Sequence, residues 1–317
     1  MSRTIGILTS GGDAPGSNAC IAAIAARAEM RGIRVRGILR GFEGLAQGAT
    51  IPLGVEVLGL ARRGGTFLGT SRNGDLKGAL GADNAQDAMQ RCGVDSLIVL
   101  GGGGSLKAAA EFAGAGARVV GIPCTIDNDI PGTDHSLGFD SAVNKAVRAA
   151  DEIMDTAESL PERLFLLETL GGTTGHIAIA TAYAADADAV FIHERQWDAA
   201  AAAAHIKRKM DAGGSQGLVV CCENLGADQI ARDLAAASGR RVRITSLGHT
   251  QRGGNPTYFD RTLARAFADK AFEMILAEDW NKMVAHTGGA VDAVSFDAVS
   301  STKKDIDAAK YAAVNES

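Results

Sequence analysis

Short apolar runs recur along the chain, each closed by glycine, proline or a polar residue. They read as strands at Thr4–Leu8, Val35–Leu39, Ser96–Leu100, Val119–Ile122, Leu164–Glu168, Ala189–Ile192, Gly217–Val220 and Arg243–Leu247. Runs of this kind suit buried parallel strands. Between them lie helical stretches at Ser17–Arg31, Asn84–Arg91, Ser105–Ala113, Ser141–Glu158, Thr174–Ala185, Asp198–Asp211, Ala227–Ser238 and Asp260–Ala277. The alternation predicts an α/β fold, a parallel sheet covered by helices. Ligands in such folds collect beyond the carboxyl ends of the strands, so function is sought in the loops that follow them. No linker or internal repeat stands out, and the alanine run Ala199–Ala204 reads as helix.

The 317 residues suffice for two domains or one large α/β unit. Glycine, at 40 residues, exceeds its usual share of about 7% and gathers in pairs and loops, which suggests tight backbone approaches. The net charge of −5 gives no global attraction to nucleic acid or anionic membrane, so an anionic substrate must be held by local cations. The opening MSRTIGILTSGG has too short an apolar run for a signal peptide, and no stretch approaches a membrane span. Cys20, Cys92, Cys124, Cys221 and Cys222 form no CxxC pair and suit neither zinc nor a disulfide framework. A cytoplasmic location is expected.

The loops after the strands carry the candidate chemistry. TSGGDAPGSN (9–18) brings Gly11 and Gly12 to a strand end, as a ligand approach or as a tight strand-to-helix turn. GGTFLGTSRNGDLK (64–77) sets Arg72 and Lys77 among glycines and, taken alone, reads as a solvated loop. LIVLGGGGSLK runs a strand into four glycines and a helix start, with Ser105 as a candidate cap; it reads as a phosphate cradle or a sharp turn. PCTIDNDI (123–130) places Asp127 and Asp129 two apart, fit for a general base and a metal ligand, or for an Asx-turn. ETLGGTTG (168–175) repeats the strand–glycine–helix design, CCENLG supplies Glu223, and LGHTQRGGNP (247–256) puts His249 and Arg252 in one loop.

TSGGDAPGSN, GGTFLGTSR, PCTIDNDIPGTD and LGHTQRGGNP, in this order and spacing, resemble the bacterial-type 6-phosphofructokinase family. The resemblance implies two Rossmann-like three-layer α/β/α domains with mainly parallel sheets. A larger nucleotide-binding domain would comprise residues 1–138 and 251–300, and a smaller sugar-phosphate-binding domain residues 139–250 and 301–317. It implies transfer of the γ-phosphoryl of ATP to the 1-hydroxyl of fructose 6-phosphate with Mg2+ or Mn2+, in a homotetramer or dimer. Position by position, Asp127 would be the base, Thr125 would touch the reacting phosphoryl, Asp129 would face the metal, and Arg72 would stabilise the charge of the transition state. Leu170, Gly171, Gly172, Glu223, His249 and Arg252 would contact the sugar phosphate. Arg163 and Arg243 would reach it from the neighbouring subunit, where a guanidinium suits phosphate. Gly12, Phe42, Arg72, Asn73, Lys77, Gly102, Gly103, Gly104 and Ser105 would line the nucleotide pocket.

The chain departs from the family in three places. Its loop GGGGS stands where the family has GGDGS, so Gly103 replaces a magnesium-binding aspartate. Gly172 replaces an arginine that stabilises the transferred phosphoryl. Positions that form the family's cationic effector pocket are Ala22, Ala26, Gly54, Met154, Ala212 and Gly214, so no ADP or phosphoenolpyruvate regulation is expected. Pyrophosphate-using relatives typically carry Asp where this chain has Gly104 and Lys where it has Cys124. Gly104 favours ATP; Cys124 matches neither class and reads as a small loop filler rather than a reactive thiol. The open alternatives are a pyrophosphate-dependent enzyme, a kinase for another phosphorylated ketose, and a sugar-phosphate-binding protein with little catalysis.

Overall fold

The computed structural model describes residues 3–71, 85–159, 163–212, 217–301 and 303–316. In chain order its strands are β1 (Thr4–Ser10), β2 (Arg34–Ile38), β3 (Thr50–Leu53), β4 (Ser96–Gly101), β5 (Val119–Pro123), β6 (Arg163–Thr169), β7 (Ala189–Phe191), β8 (Gly217–Cys222), β9 (Arg241–Ser246), β10 (Lys282–Thr287) and β11 (Ala290–Ser295). The helices among the described residues are α1 (Ser17–Glu29), α2 (Gly41–Gln47), α3 (Ala85–Cys92), α4 (Gly103–Gly114), α5 (Phe139–Glu158), α6 (His176–Ala184), α7 (Ala199–Asp211), α8 (Ala227–Ser238), α9 (Tyr258–Ala277), α10 (Asp297–Ser301) and α11 (Ala308–Asn315). The chain divides into two units, Met1–Ser141 with Arg252–Lys304, and Ala142–Gln251 with Asp305–Ser317.

The first unit holds a seven-stranded sheet in the order β11-β10-β5-β4-β1-β2-β3. β1 and β4 are central and buried along their whole length, which is why they read as unbroken apolar runs. Leu8, Leu97, Val99 and Val119 pack on one face against Phe42 and Leu45 of α2, Met89 of α3 and Phe112 of α4. Ile5, Ile7 and Ile98 point to the other face and are fully buried. α1 and α9 pack on each other.

The second unit holds the parallel sheet β7-β8-β6-β9. Alternation sorts β6 between two cores. Phe165 and Leu167 join Ile179 of α6 and Val314 of α11, whereas Leu164 and Leu166 join Ala203 and Ile206 of α7 and Leu234 of α8. The apolar run thus feeds a helix layer on each face.

The apolar pattern missed three strands. β3 is a four-residue edge strand containing Pro52, which only an edge tolerates. β10 and β11 form an antiparallel hairpin turning on Gly288 and Gly289, both at positive φ (58° and 84°), as a two-residue hairpin turn requires. β9 was expected to be buried; it is largely exposed because it forms the edge of its sheet. Helices α2, α10 and α11 were also not anticipated. α4 begins at Gly103, with Gly102 as its N-cap and no side-chain cap, so Ser105 lies inside the first turn rather than capping it.

The start of α5 is held by Asp260 of α9. Its carboxylate, fully buried, accepts from Gly138 N (2.9 Å), Ser141 N (2.8 Å) and Ser141 Oγ (2.6 Å). Burial outweighs these bonds and pushes its pKa up to about 6. An unfolded Asp releases its proton near pH 3.8, so between there and pH 6 the native chain holds the extra proton. Stability from this site therefore falls as pH rises through that window. In urea melts at fixed pH, the stability difference between the parent and Asp260→Asn should decline from pH 4 to pH 6 by on the order of 2 kcal/mol. A flat difference would contradict the buried-acid assignment.

Candidate active site

β1, β4 and β5 are parallel neighbours, with Ser10, Gly101 and Pro123 side by side in register. The three following loops therefore leave the sheet at one level. A methyl group added at Gly102 would lie 3.5 Å from Thr125 Cβ, and one at Gly11 would lie 3.4 Å from Ser105 Oγ. One added at Gly103 or Gly104 would meet no atom within 4 Å, so the uncapped first turn of α4 faces open space.

Arg252 completes this edge. Its Nη2 lies 3.9 Å from Asp127 Oδ1, and its Nη1 donates to Asp13 O (3.4 Å). Both side chains are mostly buried, at 14% and 22% exposure, so little water screens the pair. The guanidinium occupies space left by Gly12, where a methyl group would lie 2.5 Å from Nη1. Gly12, placed by sequence among the nucleotide contacts, thus makes room for Arg252. Asp127 N donates to Thr125 Oγ1 (3.2 Å), which ties the two residues in one turn.

Asp129 is half-buried in the same loop, and its charge, with that of Asp134, acts on the ammonium of Lys304. Burial nonetheless pushes that ammonium down to about 8. Lys304 lies 170 positions beyond the loop whose Asp134 carbonyl it contacts (2.7 Å), and no local pattern marks it. Cys124 is buried, 3.1 Å from Ser17 Oγ, and burial pushes its thiol up to about 12, which makes it inert filler. Phe42 is 4% exposed and stands edge-on to Phe112, so it builds the core beneath the loops rather than an open pocket wall. Arg72, Asn73 and Lys77 lie outside the described residues.

In the second unit, Glu223 Oε1 accepts from Gly171 N (3.0 Å) and Gly172 N (2.7 Å). Gly172 has φ 65°, a conformation strained for most residues with a side chain, and in it the loop turns its amide onto Glu223. The geometry commits one carboxylate oxygen of Glu223, the expected contact for sugar hydroxyls, to the backbone. Leu170 is buried and donates its amide to Gln251 Oε1 (2.8 Å), while His249 is exposed. Glu223, Leu170 and His249 follow the carboxyl ends of β8, β6 and β9. Arg163 opens β6 at its other end, about 20 Å away along the strand. Arg243 is an exposed residue of the edge strand β9, paired with Phe165. Within one chain, Arg163 does not join the Glu223 edge.

A family model described as Phosphofructokinase matches residues 4–275. The chain belongs to the phosphofructokinase family. The ATP-dependent 6-phosphofructokinase of Natranaerobius thermophilus is 39% identical over 285 residues, 89% of either chain. ATP-dependent 6-phosphofructokinase 1 of Thermus thermophilus is 38% identical over 312 residues, 97% of either chain. Phosphofructokinase of Pichia pastoris in the T-state superposes with a TM-score of 0.86 at 29% identity, over 95% of this chain and 38% of that one.

Gly12→Ala tests the edge directly. The added methyl should displace the tip of Arg252 while lowering stability by less than about 1 kcal/mol, because a flexible side chain yields. Phosphofructokinase turnover should fall about tenfold or more. Unchanged turnover would show that Arg252 has no part at this edge.

Proposed function

We propose that this phosphofructokinase-family protein transfers the γ-phosphoryl of ATP to the 1-hydroxyl of fructose 6-phosphate. The observation that carries this reading is the pairing of Asp127 with Arg252 on the edge shared by the glycine loop 101–105 and Thr125. Asp127 takes the proton of the attacking hydroxyl. The free amides at the start of α4 and the Thr125 hydroxyl hold the phosphoryl oxygens, where preorganised donors stabilise spreading charge. Arg72 and Lys77 add cations to the donor side, and Arg163, Glu223, Arg243, His249 and Arg252 hold the phosphate and hydroxyls of the sugar. Open space at Gly104 accommodates a nucleotide phosphate and supports ATP over pyrophosphate.

Among the described residues no three His, Cys, Asp or Glu side chains gather as a metal site. Magnesium needs only one or two carboxylates when substrate phosphates supply further oxygens, so Asp129 with a bound nucleotide fits it. When bound it would neutralise charge on the transferring phosphates.

The deciding assay gives purified protein fructose 6-phosphate or another phosphorylated ketose, with ATP or pyrophosphate and Mg2+ or Mn2+. Turnover restricted to ATP and fructose 6-phosphate supports the proposal. Sugar-phosphate binding without turnover under any pairing would leave a binding protein instead.

The space at Gly103 admits a Cβ without a clash, so a short carboxylate side chain can start there. Gly103→Asp should therefore raise magnesium-dependent turnover about tenfold, equal to roughly 1.4 kcal/mol of transition-state stabilisation. A fall in turnover would mean that the metal is held in another way.

The separation of Arg163 from the Glu223 edge supports service to a neighbouring copy, and with it a homo-oligomer. Mixing an inactive Asp127→Ser chain with an inactive Arg163→Ser, Arg243→Ser chain under refolding should regenerate measurable turnover. No recovery in the mixed oligomers would assign both arginines to their own chain.

A further inference from the structure

We infer that Asn128 is a positioning residue that fixes the direction of the Asp127 carboxylate. Asn128 follows Asp127 at φ 53° and is 5% exposed. Among residues with a side chain, asparagine is one of the few that adopts this left-handed conformation readily. Its carboxamide spans the loop. Oδ1 accepts from Ser136 N (2.9 Å), and Nδ2 donates to Asp134 O (3.0 Å). The orientation of the amide is fixed, because Ser136 N can only donate and Asp134 O can only accept.

Ser136, with no exposed surface, donates its Oγ back to Thr125 O (2.7 Å). The result is a closed ring from Thr125 through Ser136 and Asn128 to Asp134, with Asp127 on the short stretch between the tied residues Thr125 and Asn128. The far limb is itself anchored. Asp134 N donates to His286 O (2.7 Å), His286 N donates to Thr133 Oγ1 (2.9 Å), and Lys304 Nζ reaches the Asp134 carbonyl that Asn128 contacts (2.7 Å). The near limb is β5. Asn128 is therefore the crosspiece between a strand end and a limb fastened to β10.

Glycine, aspartate and alanine each fail at least one part of this role. Glycine accepts the backbone conformation but lacks the crosspiece. Aspartate keeps the acceptor but loses the donor, and adds a charge between Asp127 and Asp129. Alanine loses the crosspiece and is strained at this φ.

The inference rests on the proposed activity, with Asp127 as base. Its test uses the full chain as the parent, Asn128→Gly and Ser136→Ala, with ATP and fructose 6-phosphate as probes. Asn128→Gly should lower kcat 10- to 100-fold while KM for fructose 6-phosphate stays within threefold, since the base is misdirected while Glu223, His249 and Arg252 lie on other loops. Amide exchange over residues 125–136 should accelerate at least tenfold in the same variant and stay unchanged elsewhere. Ser136→Ala, which leaves the backbone unstrained, should lower kcat three- to tenfold in the same pattern and carries the test if Asn128→Gly melts below assay temperature. A kcat within twofold of the parent, or a loss confined to KM, overturns the inference. No turnover by the parent itself would instead overturn the functional reading on which the inference stands.

Discussion

Parallel pairing of β1, β4 and β5 is the constraint from which the candidate site follows. With Ser10, Gly101 and Pro123 in register, the three chains leave the sheet at one height, and their loops have to share the space above it. Glycine is what makes that sharing possible. A side chain at Gly101 would run into Ser105 and the Ser10 carbonyl, and one at Gly12 would meet Arg252. The burial that fixes the register comes from elsewhere, from the helix layers over the sheet. Core packing and site geometry are thus two ends of the same strands.

Charge at this edge is handled by few groups. Gly103 and Gly172 bring no charge of their own to the two loops they occupy. What remains in the first unit is a guanidinium against a carboxylate, a row of uncapped amides, and Lys304 in the electrostatic reach of Asp129. Amides carry partial positive charge without needing a counter-ion, and they cost no reorganisation when charge develops. That is a physical basis for phosphoryl transfer with a thinner set of ionic residues. In the second unit, the carboxylate of Glu223 settles on the backbone amides of Gly171 and Gly172. The two glycines therefore act differently. One opens space, and the other changes the conformation of a loop.

The buried polar residues divide the labour. Asp260 fastens the first turn of α5, and the Asn128–Ser136 pair fastens the loop after β5. Each satisfies backbone donors that would otherwise be stranded away from water. Neither belongs to the apolar core, yet both hold segments that the core cannot reach, since a loop of polar backbone gains little from packing alone.

Sequence determined the alternating fold class, the strands buried on both faces and the loops that matter, because buried parallel strands must be apolar throughout and glycine must stand where backbones approach. It also marked Asp127, Thr125, Arg252 and the glycine loop, which lie within short motifs. Tertiary structure alone decided the rest. β3 and the β10–β11 hairpin are short and half-exposed, so they carry little apolar signal. The role of Gly12 depends on a guanidinium 240 positions away, near the length of the separation between Arg252 and Asp13 at 239. Lys304 reaches Asp134 across 170 positions, and Asp260 reaches Ser141 across 119. Local patterns report what a segment needs from water or from its own backbone conformation. They do not report which distant segment supplies a hydrogen bond, because that partner is chosen only when the sheet order is set.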